Sequence, residues 1–275
     1  MNTNSTRIAC IYFLVIASFL QTSTIALGQQ SASDQKDVGE ESNSTEQLVE
    51  ADEEKKPEKK VSPGLEFYLD REIAQTMHFA GAPWLIRDAR EREERCSMML
   101  ANLGLKNGMT VCDMGCGNGF HTLKIAEMLG TNSGSVYAVD VQPTMLKLLR
   151  ERMEEQGIEN VVPILGSFHN PRLPPNSIDL VLLVDVYHEF SHPVEMLAAM
   201  KASLKKDGAI VLVEFRAEDE SVPIKPLHKM SKEQIDKEMT ANGFELVKEF
   251  DRLPWQHMMF YGKAKPENSA DKSGG

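Results

Sequence analysis

The sequence predicts an α/β fold in which short buried strands alternate with amphipathic helices and the chain closes on an antiparallel hairpin. Three observations carry this. Apolar runs of strand length recur at 110–113, Ser135–Asp140, Val161–Leu165, Ile178–Val184 and 209–215, most of them followed by helical periodicity. Residues 110–130, TVCDMGCGNGFHTLKIAEMLG, read as a buried strand, a glycine-rich turn and a helix. Residues 244–251 and 255–263 follow each other across a short turn at Leu253-Pro254, with no helix between them. Two strands of that kind pair as a hairpin.

The chain has 275 residues, 41% of them hydrophobic, enough for one domain with a real core plus extensions. Residues 1–28 read as an export signal or membrane anchor. Arg7 precedes an apolar run from Ile8 to Leu20, and Ala26-Leu27-Gly28 offers small residues for cleavage. The expected location is therefore exported or periplasmic, or membrane-tethered through the N-terminus, and cytoplasmic if the segment is not a functional signal. Residues 29–61 are rich in Ser, Gln, Glu, Lys and Asp. They hold too little apolar surface to offset ordering entropy, and are expected to be a disordered linker. The same is expected of 266–275, leaving 62–265 as the folded domain.

The formal net charge is −11. A duplex-binding surface normally carries a basic excess, so the expectation is no nucleic acid partner and a small-molecule substrate. Cys10 leaves with a cleaved signal; Cys96, Cys112 and Cys116 remain. No His/Cys cluster has zinc-ligand spacing, and no metal is expected. Oligomeric state is not readable.

Taken in order, the domain opens with Leu65, Tyr68, Leu69, Ile73 and Met77 at helical spacing, ended by Gly81-Ala82-Pro83. A second helix is expected over 88–103. The first strand then leads to Asp113 and the turn Gly115-Cys116-Gly117-Asn118-Gly119. Glycines there permit a sharp turn and close approach of a ligand, and the helix N-terminus beyond favours a negatively charged group. The spacing is GxGxG. A dinucleotide fingerprint needs a third glycine at Phe120.

With its acid and three glycines, Asp113-Met-Gly115-Cys-Gly117-Asn-Gly119 resembles motif I, DxGxGxG, of the class I S-adenosylmethionine (SAM) dependent methyltransferases. The resemblance covers roughly 63–265. It implies a Rossmann-like, seven-stranded, mostly parallel sheet with helices on both faces, SAM as cofactor, and methyl transfer to an acceptor. The alternative is a non-catalytic SAM-binding or sensor module. It also implies that Asp113 and the backbone of Gly115, Cys116, Gly117 and Gly119 hold the methionine end. Segments before the first strand of such folds pack over the cofactor mouth, which nominates Tyr68, His78, Trp84 and nearby arginines. SAM is made in the cytoplasm, so an exported N-terminus stands in tension with it.

Strand Ser135–Asp140 ends in an acid about twenty residues past the turn, where a carboxylate can accept from both ribose hydroxyls. Pro143 starts the next helix, to Gln156. After strand Val161–Leu165, Ser167 and Phe168, with Val141, are expected around adenine. Strand Ile178–Val184 is almost wholly apolar, as in a parallel strand buried on both faces. It ends in Asp185-Val186-Tyr187-His188-Glu189-Phe190. Ligands sit beyond the carboxyl ends of such strands. Asp185 is therefore expected at the cofactor, with His188, Glu189 and Tyr187 at the acceptor. His188 is the first candidate for proton removal, then Glu189 and His228; the other reading of His188 and Glu189 is a cap for the next helix. The insertion after 209–215, with Pro223, Lys225 and His228, is expected to shape the acceptor pocket. Ser231 caps a helix to Ala241, with Glu233 as capping-box partner. His257 is expected to pair within the hairpin.

Overall fold

The computed structural model describes residues 63–130 and 133–265. The expected export signal, linker and C-terminal tail lie outside the described residues. Among the described residues no helix is long and apolar enough to cross a membrane.

In chain order the elements are β1 (Phe67–Tyr68), β2 (Arg71–Glu72), α1 (Ala82–Leu85), α2 (Arg90–Glu94), α3 (Cys96–Asn102), β3 (Thr110–Met114), α4 (Phe120–Leu129), β4 (Ser135–Asp140), α5 (Pro143–Gln156), β5 (Val161–Leu165), β6 (Ile178–Val184), α6 (Pro193–Ser203), β7 (Leu204–Phe215), α7 (Lys232–Ala241), β8 (Phe244–Glu249) and β9 (Gln256–Lys263). Short 3-10 turns at Phe79–Gly81, Tyr187–Glu189 and Pro226–His228 interrupt the loops.

The main sheet has seven strands in the order β5-β4-β3-β6-β7-β9-β8. Strands β3 to β7 run parallel, and β9 is antiparallel to both β7 and β8. Successive side chains of a strand point to opposite faces, so each central strand must be apolar on both sides. In β6, Leu180 and Leu182 pack with α3, α4 and α5, while Val181 and Leu183 pack with α6 and α7. Each such fully buried side chain contributes about 1.5–3 kcal/mol. The polar residue near the start of β6, Asp179, accepts from Thr110 N at 2.7 Å and Lys205 Nζ at 2.7 Å, tying three strands together.

Three local expectations are corrected. Residues 65–77 form no helix. Leu69 and Asp70 take positive φ, 45° and 71°, and turn the chain into the β1–β2 hairpin. Tertiary contacts hold it there: Leu65 N donates to Ser191 O, and Arg71 grips Glu238. The helix expected over 88–103 is two, because Arg95 adopts the left-handed conformation at φ 51° between α2 and α3. Ser231 does cap α7, but its hydroxyl accepts from Gln234 N at 3.1 Å, so Gln234 rather than Glu233 holds the third helical position.

The order of the sheet reverses at β3 and β6: β4 and β5 lie to one side of β3, β6 and β7 to the other. A crevice opens at the carboxyl ends of strands at such a switch point.

Candidate active site

β3 ends at Met114, and the backbone turns through Gly115, Gly117 and Gly119 at φ 70°, 53° and 82°. These angles favour glycine. Space demands it too: a Cβ on Gly115 would lie 2.3 Å from Val186 Cγ2. The turn is pinned from the neighbouring strand. Gly115 N and Cys116 N donate to Val139 O at 2.8 and 3.0 Å. Asp140 Oδ2 accepts from Gly117 N at 2.9 Å, and its Oδ1 accepts from Gln142 N at 2.8 Å. Each carboxylate oxygen keeps a lone pair. Burial raises the Asp140 acid, opposed by the Gln142 and Gly117 N–H groups.

A strap formed by the segment before β3 closes over this turn. Gln142 fastens it from below, donating Nε2–H to Met77 O at 2.8 Å and accepting from Phe79 N at 2.9 Å. Asn118 Nδ2 donates to Ala82 O at 3.0 Å, and Ala74 N donates to His188 O at 3.1 Å. Between strap and sheet lies a cavity of about 480 Å³, lined among others by Met77, Trp84, Gly115, Asp140, Phe168 and His188. That size fits a drug-sized or cofactor-sized ligand.

The other end of the cavity is polar. Asp185, at φ 54° just past β6, accepts both contacts from Gln256 Nε2 at 3.0 and 2.8 Å. Burial, then the neighbouring Glu94 and Glu214, push its acid well above the ordinary range. Glu214, at the end of β7, is wholly buried. Its Oε1 accepts from Tyr187 N at 2.8 Å and Val186 N at 3.2 Å, and its Oε2 meets His188 Nδ1 at 2.7 Å. His188 Nε2 lies 3.0 Å from His228 Nδ1 and 3.9 Å from Glu189 Oε1. Burial pulls the His188 imidazole down, but the Glu214 carboxylate outweighs it and leaves the group above its ordinary value. Burial raises Glu189 to about 7, against His188 and the Met77 N–H. Burial and the adjoining His188 lower His228.

Gly115, Gly117, Asp140, Val141, Ser167, Phe168, Asp185, His188 and Glu189 all line this cavity. Three residues expected at the cofactor do not: Asp113, Cys116 and Gly119. Asp113 lies beneath the turn, 3% exposed, where it accepts from Thr122 Oγ1 at 2.5 Å; burial raises it to about 6. It braces the first turn of α4. Cys116 is buried against the core, and Gly119 abuts Leu149. The acceptor role of Tyr187 is corrected as well. Its ring is fully buried, edge-on to Phe190 with the Arg71 guanidinium 5.7 Å from its centroid. A 3-10 turn rotates successive side chains by about 120°. Tyr187 thus enters the core while His188 and Glu189 face the cavity, and neither of those caps α6.

Of the strap residues that the sequence nominated, Trp84 and Arg90 reach the cavity, and Tyr68 and His78 do not. Pro223, Ile224, Lys225 and His228 from the insertion line the far wall. His257 stays in β9, opposite Glu214 of β7, and its side chain pairs outside the hairpin, with Glu218 Oε2 at 2.7 Å and Arg216 Nη1 at 3.1 Å. Cys96, Cys112 and Cys116 are buried free thiols. Sequence reasoning missed Glu214 and Gln142. The strand-end rule that nominated Asp185 applies equally to Glu214; Gln142 carries no local signal.

A family model described as "Methyltransferase domain" matches residues 105–265. The fibrillarin-like rRNA/tRNA 2′-O-methyltransferase of Methanocaldococcus jannaschii is 27% identical over 164 residues, covering 58% of this chain and 67% of that relative. The ubiquinone/menaquinone biosynthesis C-methyltransferase UbiE of Escherichia fergusonii is 30% identical over 113 residues, 41% of this chain and 45% of that relative. The chain thus spans about half the length of the UbiE relatives it matches. Among solved structures, a SAM-dependent methyltransferase from Aquifex aeolicus superposes with TM-score 0.64 at 24% identity, over 68% of this chain and 98% of that one. The [4+2]-cyclase SpnF superposes with TM-score 0.53 at 16% identity, over 62% of this chain and 82% of that one. The cyclase shares the fold, so fold alone does not set the chemistry. The exclusion of nucleic acid, and with it the restriction to small-molecule substrates, is overturned by the rRNA/tRNA relative. A whole-chain charge of −11 does not describe one local surface.

Proposed function

We propose, on the premise that this chain belongs to the methyltransferase-domain family, that it transfers a methyl group to a nucleophile seated against His188, Glu189 and His228. Its cofactor is SAM, which supplies an electrophilic methyl group on a sulfonium.

The residues present fit that cofactor. Gly115 and Gly117 bring bare backbone to the wall of a cavity of about 480 Å³ that also takes in Phe168 and His188. Asp140, with its spare lone pairs, would hold the ribose hydroxyls. Val141, Ser167 and Phe168 would surround adenine. Gly115, Gly117 and Asp185 would meet the methionine end. Burial holds the acids of Asp140, Asp185 and Glu189 above their ordinary values, and a cation arriving beside them opposes that shift by favouring their ionised forms. The strap, fastened by Gln142 and Asn118, forms one wall of the cavity and can align cofactor and acceptor. Such alignment lowers a barrier by about 7–11 kcal/mol when geometry is good.

The wall of His188, Glu189 and His228 provides for loss of the acceptor's proton. The observation that carries the reading is continuity. One cavity joins the Asp140 clasp at the end of β4 to this wall at the ends of β6 and β7. The named relatives act on RNA and on quinones, and both acceptor classes belong in the assay. The full-length chain would be incubated with methyl-labelled SAM and, in separate arms, transfer and ribosomal RNA or reduced quinones. Label transferred with matching release of S-adenosylhomocysteine, lost in His188→Gln, is the expected result. SAM that fails to bind by calorimetry would overturn the reading.

A further inference from the structure

We propose that His188, Glu189 and His228 bind a divalent first-row transition cation, Zn²⁺ foremost, at the acceptor end of the cavity. The proposal rests on the methyltransferase reading above and specifies how that wall activates the acceptor.

The ligand atoms already converge. One nitrogen from each imidazole and one Glu189 oxygen lie within 4.8 Å of one another. In a tetrahedral zinc site, with Zn–N near 2.0–2.1 Å, neighbouring ligand atoms stand about 3.3 Å apart. The observed spacings of 3.0 Å between the two nitrogens and 3.9 Å from His188 Nε2 to Glu189 Oε1 bracket that value. The imidazole planes cross at 88°, with centroids 5.1 Å apart, so both lone pairs can address one point without the rings stacking. Linear spacing hides the site: His188 and His228 are 40 residues apart, on two separate 3-10 turns.

The outer shell is the second observation. A ligating histidine characteristically gives its other N–H to a carboxylate, which fixes the tautomer and raises ligand basicity. His188 does this with Glu214 at 2.7 Å. Glu214 is fully buried and held by the Val186 and Tyr187 N–H groups, so it accepts three contacts and donates none. That arrangement holds a proton on His188 Nδ1 and turns Nε2 toward His228 Nδ1. Glu189 is oriented too, its Oε1 accepting from Met77 N at 3.2 Å. Without a cation, one proton between His188 Nε2 and His228 Nδ1 closes the same contact; the cation takes that proton's place.

Two imidazoles and one carboxylate make a borderline donor set that suits zinc and its first-row neighbours better than calcium or magnesium. Three protein ligands leave a position open, and here it faces the cavity. An acceptor hydroxyl or thiol in that position is acidified and sheds its proton to solvent. Its lone pair forms the new bond to carbon. The sulfur–carbon bond breaks with its pair remaining on sulfur, which becomes a neutral thioether. Atoms and charge balance with SAM and the acceptor as the only reactants.

The test uses the full-length chain purified without a histidine tag, stripped with dipicolinate and titrated with Zn²⁺ and Co²⁺. We expect one equivalent bound, visible d–d bands of a four- or five-coordinate Co²⁺, and at least a hundredfold loss of affinity in His228→Ala and in Glu189→Gln. Glu214→Gln should weaken binding by about 10–100-fold. Circular dichroism and melting confirm that each variant is folded. Substoichiometric binding, or unchanged affinity in folded His228→Ala, overturns the proposal. SAM titrations of stripped and loaded protein separate the two layers. SAM binding without any cation binding sinks the metal site alone; no SAM binding in either form sinks the reading beneath it.

Discussion

Asp140→Asn tests the clasp on which the cofactor assignment depends. The carboxylate accepts from Gly117 N at 2.9 Å through one oxygen and from Gln142 N at 2.8 Å through the other. An asparagine of the same size has one oxygen and one NH2. Whichever way the amide turns, one backbone donor loses its acceptor and faces another donor. Leaving one such buried group unmatched costs about 1–3 kcal/mol. For a domain of this size, 1 kcal/mol lowers the melting temperature by about 2–4 °C, so the expected fall is roughly 2–12 °C. SAM loses more, because its ribose hydroxyls would lose a charged acceptor worth about 1.5–3 kcal/mol. The expected weakening of the dissociation constant is therefore about 10–150-fold, read by calorimetry on the full-length chain against thermal melting of the free protein. An affinity within threefold of the parent's, alongside the predicted fall in melting temperature, would show that Asp140 only braces the glycine turn. No change in either would refute the geometry itself.

Three further outcomes are expected. Arg71 pairs bidentately with Glu238, at 2.6 and 2.9 Å, the arginine side chain 10% exposed and the glutamate not at all. Arg71→Ala strands a buried carboxylate and should cost about 3–5 kcal/mol in urea unfolding; the double variant with Glu238→Leu should recover much of that, and additive losses would count against the pairing. Gly115→Ala puts a methyl into Val186 and forces φ 70° on alanine, which should destabilise the fold by about 1–3 kcal/mol and abolish SAM binding measured below the new melting point. Asp113 has its acid raised from 3.8 to about 6 by burial. The folded state thus holds that proton more tightly than the unfolded one, so raising pH from about 3.8 through 6 removes stability. Asp113→Asn escapes this. Its stability relative to the parent, from urea curves of the cofactor-free protein, should rise by roughly 2–2.5 kcal/mol between pH 4 and pH 7, and a pH-independent difference would contradict the burial argument.

Much of the architecture was legible because its signals are local. The apolar run Ile178–Val184 can only be a strand covered on both faces. The glycines at 115, 117 and 119 announce backbone that other residues avoid, and all three have positive φ. Pro143 and Ser231 mark helix starts through chemistry within one turn. Asp140 follows the turn at a distance fixed by one helix and one strand, and it lines the cavity.

What the sequence could not determine depends on partners far along the chain. The helical spacing of Leu65, Leu69, Ile73 and Met77 is real, yet the segment forms no helix and turns at Leu69 in a short hairpin, because Arg71 finds Glu238 and the strap's backbone finds Ser191 and His188. Such contacts outweigh propensity, a matter of tenths of a kcal/mol per residue. Tyr187, His188 and Glu189 are adjacent in sequence, and only the 3-10 turn decides that the first enters the core and the others the cavity. The conjunction of His188, Glu214 and His228 is likewise invisible in one dimension. It arises where the ends of β6 and β7 meet the insertion before α7, and only there does a buried carboxylate set which imidazole nitrogen faces the ligand. Periodicity and glycine geometry are properties of a few consecutive residues, and a sequence declares them. The protonation and orientation of a site are properties of its surroundings, and those exist only once the chain has folded.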